Sequence, residues 1–86
     1  REDVKTLMLA YQTKYGEAAV REDGPRIFKS ALGDVPAGTK NAKGDVITNW
    51  VLSAIPDTPE AFAKCVKWWK TAINQAPDAF GRKPVA

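Results

Sequence analysis

The sequence predicts an all-α fold, a small bundle of four (three to five) helices with one Gly/Lys-rich loop. Three observations carry this. Apolar residues recur at helical spacing in several stretches, proline, threonine and aspartate stand where helices begin, and the connections between periodic stretches are short. Eighty-six residues with 44% apolar side chains suffice for one domain with a modest core, and a chain disordered throughout is not expected.

The first helix is predicted over residues 3–15. Val4, Leu7, Met8, Tyr11 and Tyr15 fall within about 100° on a wheel of 3.6 residues per turn. Asp3 is placed to cap its start and Gly16 to stop it. Leu9 points away from the stripe, either as an ordinary exposed leucine or as a contact for a partner. A short helix from Glu17 to about Glu22 precedes the break Gly24-Pro25. Pro25 then begins a third helix to Leu32, with Ile27, Phe28 and Leu32 as its apolar side and Gly33 as its stop.

Residues 34–44 show no packing pattern and read as a loop. Asp45 is placed to cap a segment over 46–55. As a helix, that segment puts Val46, Ile47, Trp50, Val51 and Ala54 on one face. Its β-branched and aromatic content keeps a strand in competition, but alternation breaks down across Trp50-Val51-Leu52, which favours the helix. The last helix has the clearest start, with Thr58 as cap, Pro59 at the first helical position and Glu60 in the first turn. It runs to about Gln75, with Pro77 just beyond. Residues 1–78 are thus expected to form a single helical domain and 79–86 a flexible tail. Arg1 in place of a methionine leads to the expectation of an excerpt of a longer chain or a processed product.

Composition excludes several kinds of chemistry. There is no histidine, so the usual general base near neutral pH, the triads built on it and the commonest zinc sites are missing. Cys65 alone cannot build a thiolate metal site, and its spacing with Ala61, Trp68 and Ala72 suggests a packed, inert thiol. The carboxylate pairs Glu22-Asp23 and Asp57/Glu60 read as solvated, the second explained by helix-start chemistry. The chain is therefore expected not to be an enzyme and to hold no cofactor or metal. No apolar run approaches the ~20 residues of a membrane span, so no membrane partner is expected. The lone cysteine favours a reducing, cytoplasmic setting.

The net charge of +3 is unevenly placed. Residues 61–86 hold five bases against one acid, whereas residues 1–60 hold eight bases against nine acids. A basic C-terminal third attracts polyanions, nucleic acid first among them.

The stretch AGTKNAKGD, residues 37–45, raises the question of a phosphate loop. A Walker A motif needs four residues between its glycines and a lysine after the second. Here five residues separate Gly38 from Gly44, and Asp45 follows, so the nucleotide-loop reading fails. Lys40 and Lys43 remain as exposed cations able to touch a nucleic-acid backbone, against the plainer reading of a solvated connector.

The richest constellation is AFAKCVKWWKTAI, residues 61–73. Phe62, Val66, Trp69 and Ile73 form a bulky stripe spanning about 60°, expected in the core against Trp50, Tyr11 and Tyr15. Ala61, Cys65, Trp68 and Ala72 form a smaller stripe about 90° to one side, and Lys64, Lys67 and Lys70 spread over about 120° opposite. Trp68 lies only about 40° from Lys64, at the border of apolar and basic faces. It suits either a surface anchor for a base or a protein pocket, or a peripheral core residue whose indole meets a carbonyl. A helix-turn-helix is conceivable about AIPDTPE, residues 54–60, but the core-like final helix argues against it.

The expected function is a non-enzymatic helical binding module of a larger protein, associated with nucleic acid through mostly backbone contacts. Lys40, Lys43, Lys64, Lys67, Lys70, Arg82 and Lys83 are its candidate contacts. The alternative is a protein–protein interaction or assembly domain with no nucleic-acid contact, docking through Trp68 and Leu9.

Overall fold

The computed structural model describes residues 1–85 and opens with α1, Glu2–Tyr15, which buries Val4, Tyr11 and Tyr15. Asp3 lies inside the first turn and not at the cap. Its carboxylate accepts the Val4 amide at 2.9 Å and pairs with Arg1 at 3.1 Å, placing negative charge where the helix dipole favours it. Gly16 ends α1 at φ 96°, a conformation open to glycine, and donates its amide to the Gln12 carbonyl. The next helix begins at the following residue.

That helix, α2, runs Glu17–Leu32 without interruption where the sequence predicts two. A proline ring crowds the Cβ of the residue before it and normally drives that residue out of helical geometry. Gly24 has no Cβ, so the helix passes through Pro25 intact. A Cβ built at Gly24 would stand 3.8 Å from the Trp69 indole, an ordinary contact, so it is the proline that follows and not the tryptophan that makes use of the bare backbone here.

The segment over 46–55 is not the helix expected from Asp45. Lys40 and Val46 instead form an isolated antiparallel bridge. The turn between them is closed by the Gly44 amide on the Asn41 carbonyl at 3.0 Å, with Gly44 at φ 85°. The Asn41 side-chain oxygen accepts the amides of Lys43 and Asp45, both at 3.0 Å. Asp45 is therefore engaged in a hairpin and caps nothing, and only a 3₁₀ turn, Leu52–Ala54, follows. Trp50 and Ile55 tie this segment to the core, and the Trp50 indole donates to the Gly33 carbonyl at the end of α2.

The third helix, α3, spans Pro59–Phe80. Thr58 caps it, its hydroxyl accepting the Ala61 amide at 3.2 Å. It continues five residues past the expected end at Gln75, through Pro77. A proline there cannot donate to the Ile73 carbonyl. The Tyr15 hydroxyl of α1 donates to that carbonyl instead. Gly81, at φ 66°, closes the helix, and the amides of Gly81 and Arg82 both turn back to the Ala76 carbonyl.

Contacts advance together along α1 and α3, with Arg1 over the Phe62 ring, Tyr11 against Trp69 and Tyr15 on Ile73, so the two helices run in the same direction. Trp69 is fully buried between them and α2, edge-on to Tyr11 at 5.5 Å and to Phe28 at 5.4 Å. The architecture is all-α, with three helices and no strand among the described residues. None of these helices is long and apolar enough to cross a membrane.

The last helix takes in the first residues of the stretch read from the sequence as a flexible tail. Residues 79 and 80 belong to α3, and Phe80 lies 5.6 Å beneath the Arg26 guanidinium. The Val85 amide donates to the Lys14 carbonyl at 2.8 Å.

Candidate nucleic-acid interface

The buried residues of α3 are Ala61, Phe62, Cys65, Trp69, Ala72 and Ala76, an arc of about 100°. The core is therefore centred between the two stripes read from the sequence. Val66 and Ile73 fall on the rim of that arc, half-buried, and the small residues sit inside it. Cys65 is fully buried, and burial, with a smaller contribution from Asp3, pushes its thiol up to about 11.

Opposite this arc, Lys64, Lys67 and Lys70 are all exposed. No acid stands on α3 between Glu60 and Asp78, and among the described residues none of the three lysines takes part in an ion pair. Trp68 keeps 38% of its surface in water and, among the described residues, its indole N–H meets no protein acceptor. It is thus only partly covered, and no hydrogen bond ties it to a carbonyl among the described residues.

The fold adds a lysine that the sequence reading missed. Lys14 of α1 places its Nζ 3.5 Å from the Ile73 carbonyl and 5.4 Å from the Tyr15 ring, about one turn beyond Lys70 along α3. Lys83 is brought to the same end because Val85, two residues on, is bonded to Lys14. Helical spacing within α1 carries no sign of this, since the juxtaposition comes from the parallel packing of α1 on α3. Lys40 and Lys43 are exposed on the hairpin. That hairpin touches the 3₁₀ turn through the Ala42 amide and Ser53 hydroxyl at 3.4 Å, and no hydrogen bond or ion pair links it to α3 among the described residues.

Arg82 turns inward. Its Nε donates to Asp23 at 2.7 Å, its Nη2 to the other oxygen of the same carboxylate at 2.9 Å, and Nη2 also reaches Glu22. A guanidinium held by two carboxylates has little charge left for a phosphate. Asp23 is only 1% exposed and also accepts the Tyr11 hydroxyl at 2.6 Å. Burial pushes its carboxyl up, but the hydrogen bonds from Arg82 and Tyr11 together hold it below the ordinary range. Burial and the neighbouring Asp23 raise the Tyr11 phenol in turn. The solvated Glu22-Asp23 pair expected from the sequence is therefore half wrong. A signal existed: Ala19, Asp23 and Ile27 follow one another at i, i+4, an acid within an apolar row, visible only when 17–32 is read as one helix.

A second surface is apolar. Met8, Val20, Gly24, Pro25, Phe28, Trp50, Val51 and Leu52, with Arg21 beside them, line an open cleft of about 210 Å³. Leu9 is 51% exposed on α1, next in sequence to Met8. No cluster of three His, Cys, Asp or Glu side chains suited to a metal ion occurs among the described residues. No family model, curated protein or solved structure matches the chain.

Proposed function

We propose that this chain is a non-enzymatic, cytoplasmic binding module that grips the backbone of a nucleic acid with the lysine face of α3. Lys64, Lys67 and Lys70 form the centre of the contact, and Lys14 and Lys83 extend it past the end of the row. Lys40 and Lys43 offer a separate contact on the hairpin. The observation that carries this reading is a helix face bearing three exposed ammonium groups, unpaired among the described residues, and no acid over residues 61–77. Each lysine that meets a phosphate releases a condensed counterion, so affinity falls by about 0.7–0.9 log units per contact for each tenfold rise in salt.

Binding of labelled oligonucleotides across about 50–200 mM salt tests the reading. Lys64→Glu with Lys67→Glu is expected to weaken binding by at least tenfold at the low-salt end and to flatten the salt slope. Unchanged affinity in that variant would falsify it.

The apolar cleft favours a second reading, in which Val51 at its edge, with Leu9 and Trp68, docks a protein and the lysines serve only as a solvated face. Under that reading oligonucleotide binding is negligible at every salt concentration, and Leu9→Ser and Trp68→Ser abolish capture of the protein partner.

A further inference from the structure

We propose, resting on the nucleic-acid reading above, that the interface selects single strands, with Trp68 as the platform on which an unpaired base stacks. Trp68 differs from the other two tryptophans in this chain. Trp69 is fully buried, its indole N–H without a hydrogen-bond partner among the described residues, and Trp50 is 6% exposed with its N–H on Gly33, whereas Trp68 is 38% exposed, so exposure is what sets it apart. Packing accounts for the first two and leaves much of the third ring in water. That ring stands beside Lys64 on the wheel, separated by about 40°, and one residue from Lys67.

Geometry then decides which form of nucleic acid fits. The axial span from Lys64 to Lys70 is about 9 Å, enough for a few successive phosphates of one strand. A chain whose phosphates follow this row brings a base to the border where Trp68 lies. In a duplex the base faces are covered by their neighbours, and Trp68 would meet only sugar and phosphate. In a single strand a base can leave the stack and lie on the indole, a contact tolerant of sequence because every base has a π-face. The lysines supply affinity for either form, and Trp68 supplies the difference.

The test compares three fluorescein-labelled probes at about 50 mM salt, a range where backbone contacts register. They are a twelve-residue thymidine strand, a twelve-base-pair duplex, and a strand of the same length with abasic sugars throughout. The wild-type chain is expected to bind the thymidine strand most tightly and to show quenched tryptophan emission on binding. Trp68→Ala should weaken the thymidine strand at least about fivefold, leave the duplex unchanged and bring thymidine down to the abasic level. Trp68→Phe should retain most of the affinity, since a ring face remains, and lose the quenching.

Equal wild-type affinity for thymidine and abasic strands overturns the proposal without reliance on any variant. Equal loss of strand and duplex binding in Trp68→Ala overturns it as well. In both cases the lysine reading survives if Lys64→Glu with Lys67→Glu still weakens all three probes. If that lysine variant binds as wild type does, or no probe binds, the broader reading fails and this inference with it.

Discussion

Asp23 is an anion almost out of contact with water, kept charged by a guanidinium fork and a phenol. Removing one partner of a buried pair leaves the other uncompensated. Asp23→Ala is expected to cost about 2–4 kcal/mol in urea unfolding, toward the lower end because its arginine partner is partly solvated, and Arg82→Met is expected to destabilise in the same direction. The pH dependence follows from the lowered carboxyl. Its stabilisation is complete above the unfolded value of about 3.9 and is lost as pH falls through the folded value. Asp23→Ala should therefore flatten the acid limb of the stability curve. Cys65 gives a complementary readout. Its thiol is buried and pushed up to about 11, so a thiol reagent at pH 8 should label it at least a hundredfold more slowly than the unfolded chain, on the order set by the rarity of opening. The burial of that thiol was legible in its spacing with alanines. The engagement of Arg82 was not, because its partners lie 59 and 60 residues away.

Two prolines were read as helix boundaries and both lie inside helices. For Pro25 the compensation is local, the glycine before it, and was there to be read. For Pro77 it is the Tyr15 hydroxyl on another helix, which no local pattern reveals. This pairing makes a double-mutant prediction. Tyr15→Phe should cost about 1–2 kcal/mol in the wild-type chain, where it leaves the Ile73 carbonyl only the long contact from Lys14. In a Pro77→Ala background, where an amide is restored, the same change should cost about 1 kcal/mol less, as measured by paired denaturant melts. The helix starts and stops at Gly16, Gly33 and Thr58 were legible because capping chemistry is local. Residues 46–55 misled because the Asn41 side chain gathers the amides of Lys43 and Asp45 into a turn, and Trp50 is drawn to the end of α2. The Ile47 amide, which would lie in the first turn of the expected helix, is taken by the Thr39 carbonyl across the hairpin at 2.9 Å.

At the scale of the molecule, three helices close around Trp69 and leave one side of α3 to water. Which side that would be was legible in the sequence, since rings and ammonium groups already separate on the wheel. The makeup of the basic surface was legible only in part. Packing α1 parallel to α3 brings in Lys14, and the fold withdraws Arg82 into a carboxylate pair. The candidate contacts thus differ in what they should do: Arg82→Met alters stability and leaves the salt slope unchanged, whereas Lys14→Glu alters the slope. Everything assigned to this surface depends on its ammonium groups meeting phosphates. A salt titration of oligonucleotide affinity for the wild-type chain beside Lys64→Glu/Lys67→Glu/Lys70→Glu tests that most directly. The account predicts a steep wild-type slope of about 2 or more and binding lost in the triple variant. A wild-type slope near zero, or two superimposable titrations, would contradict it.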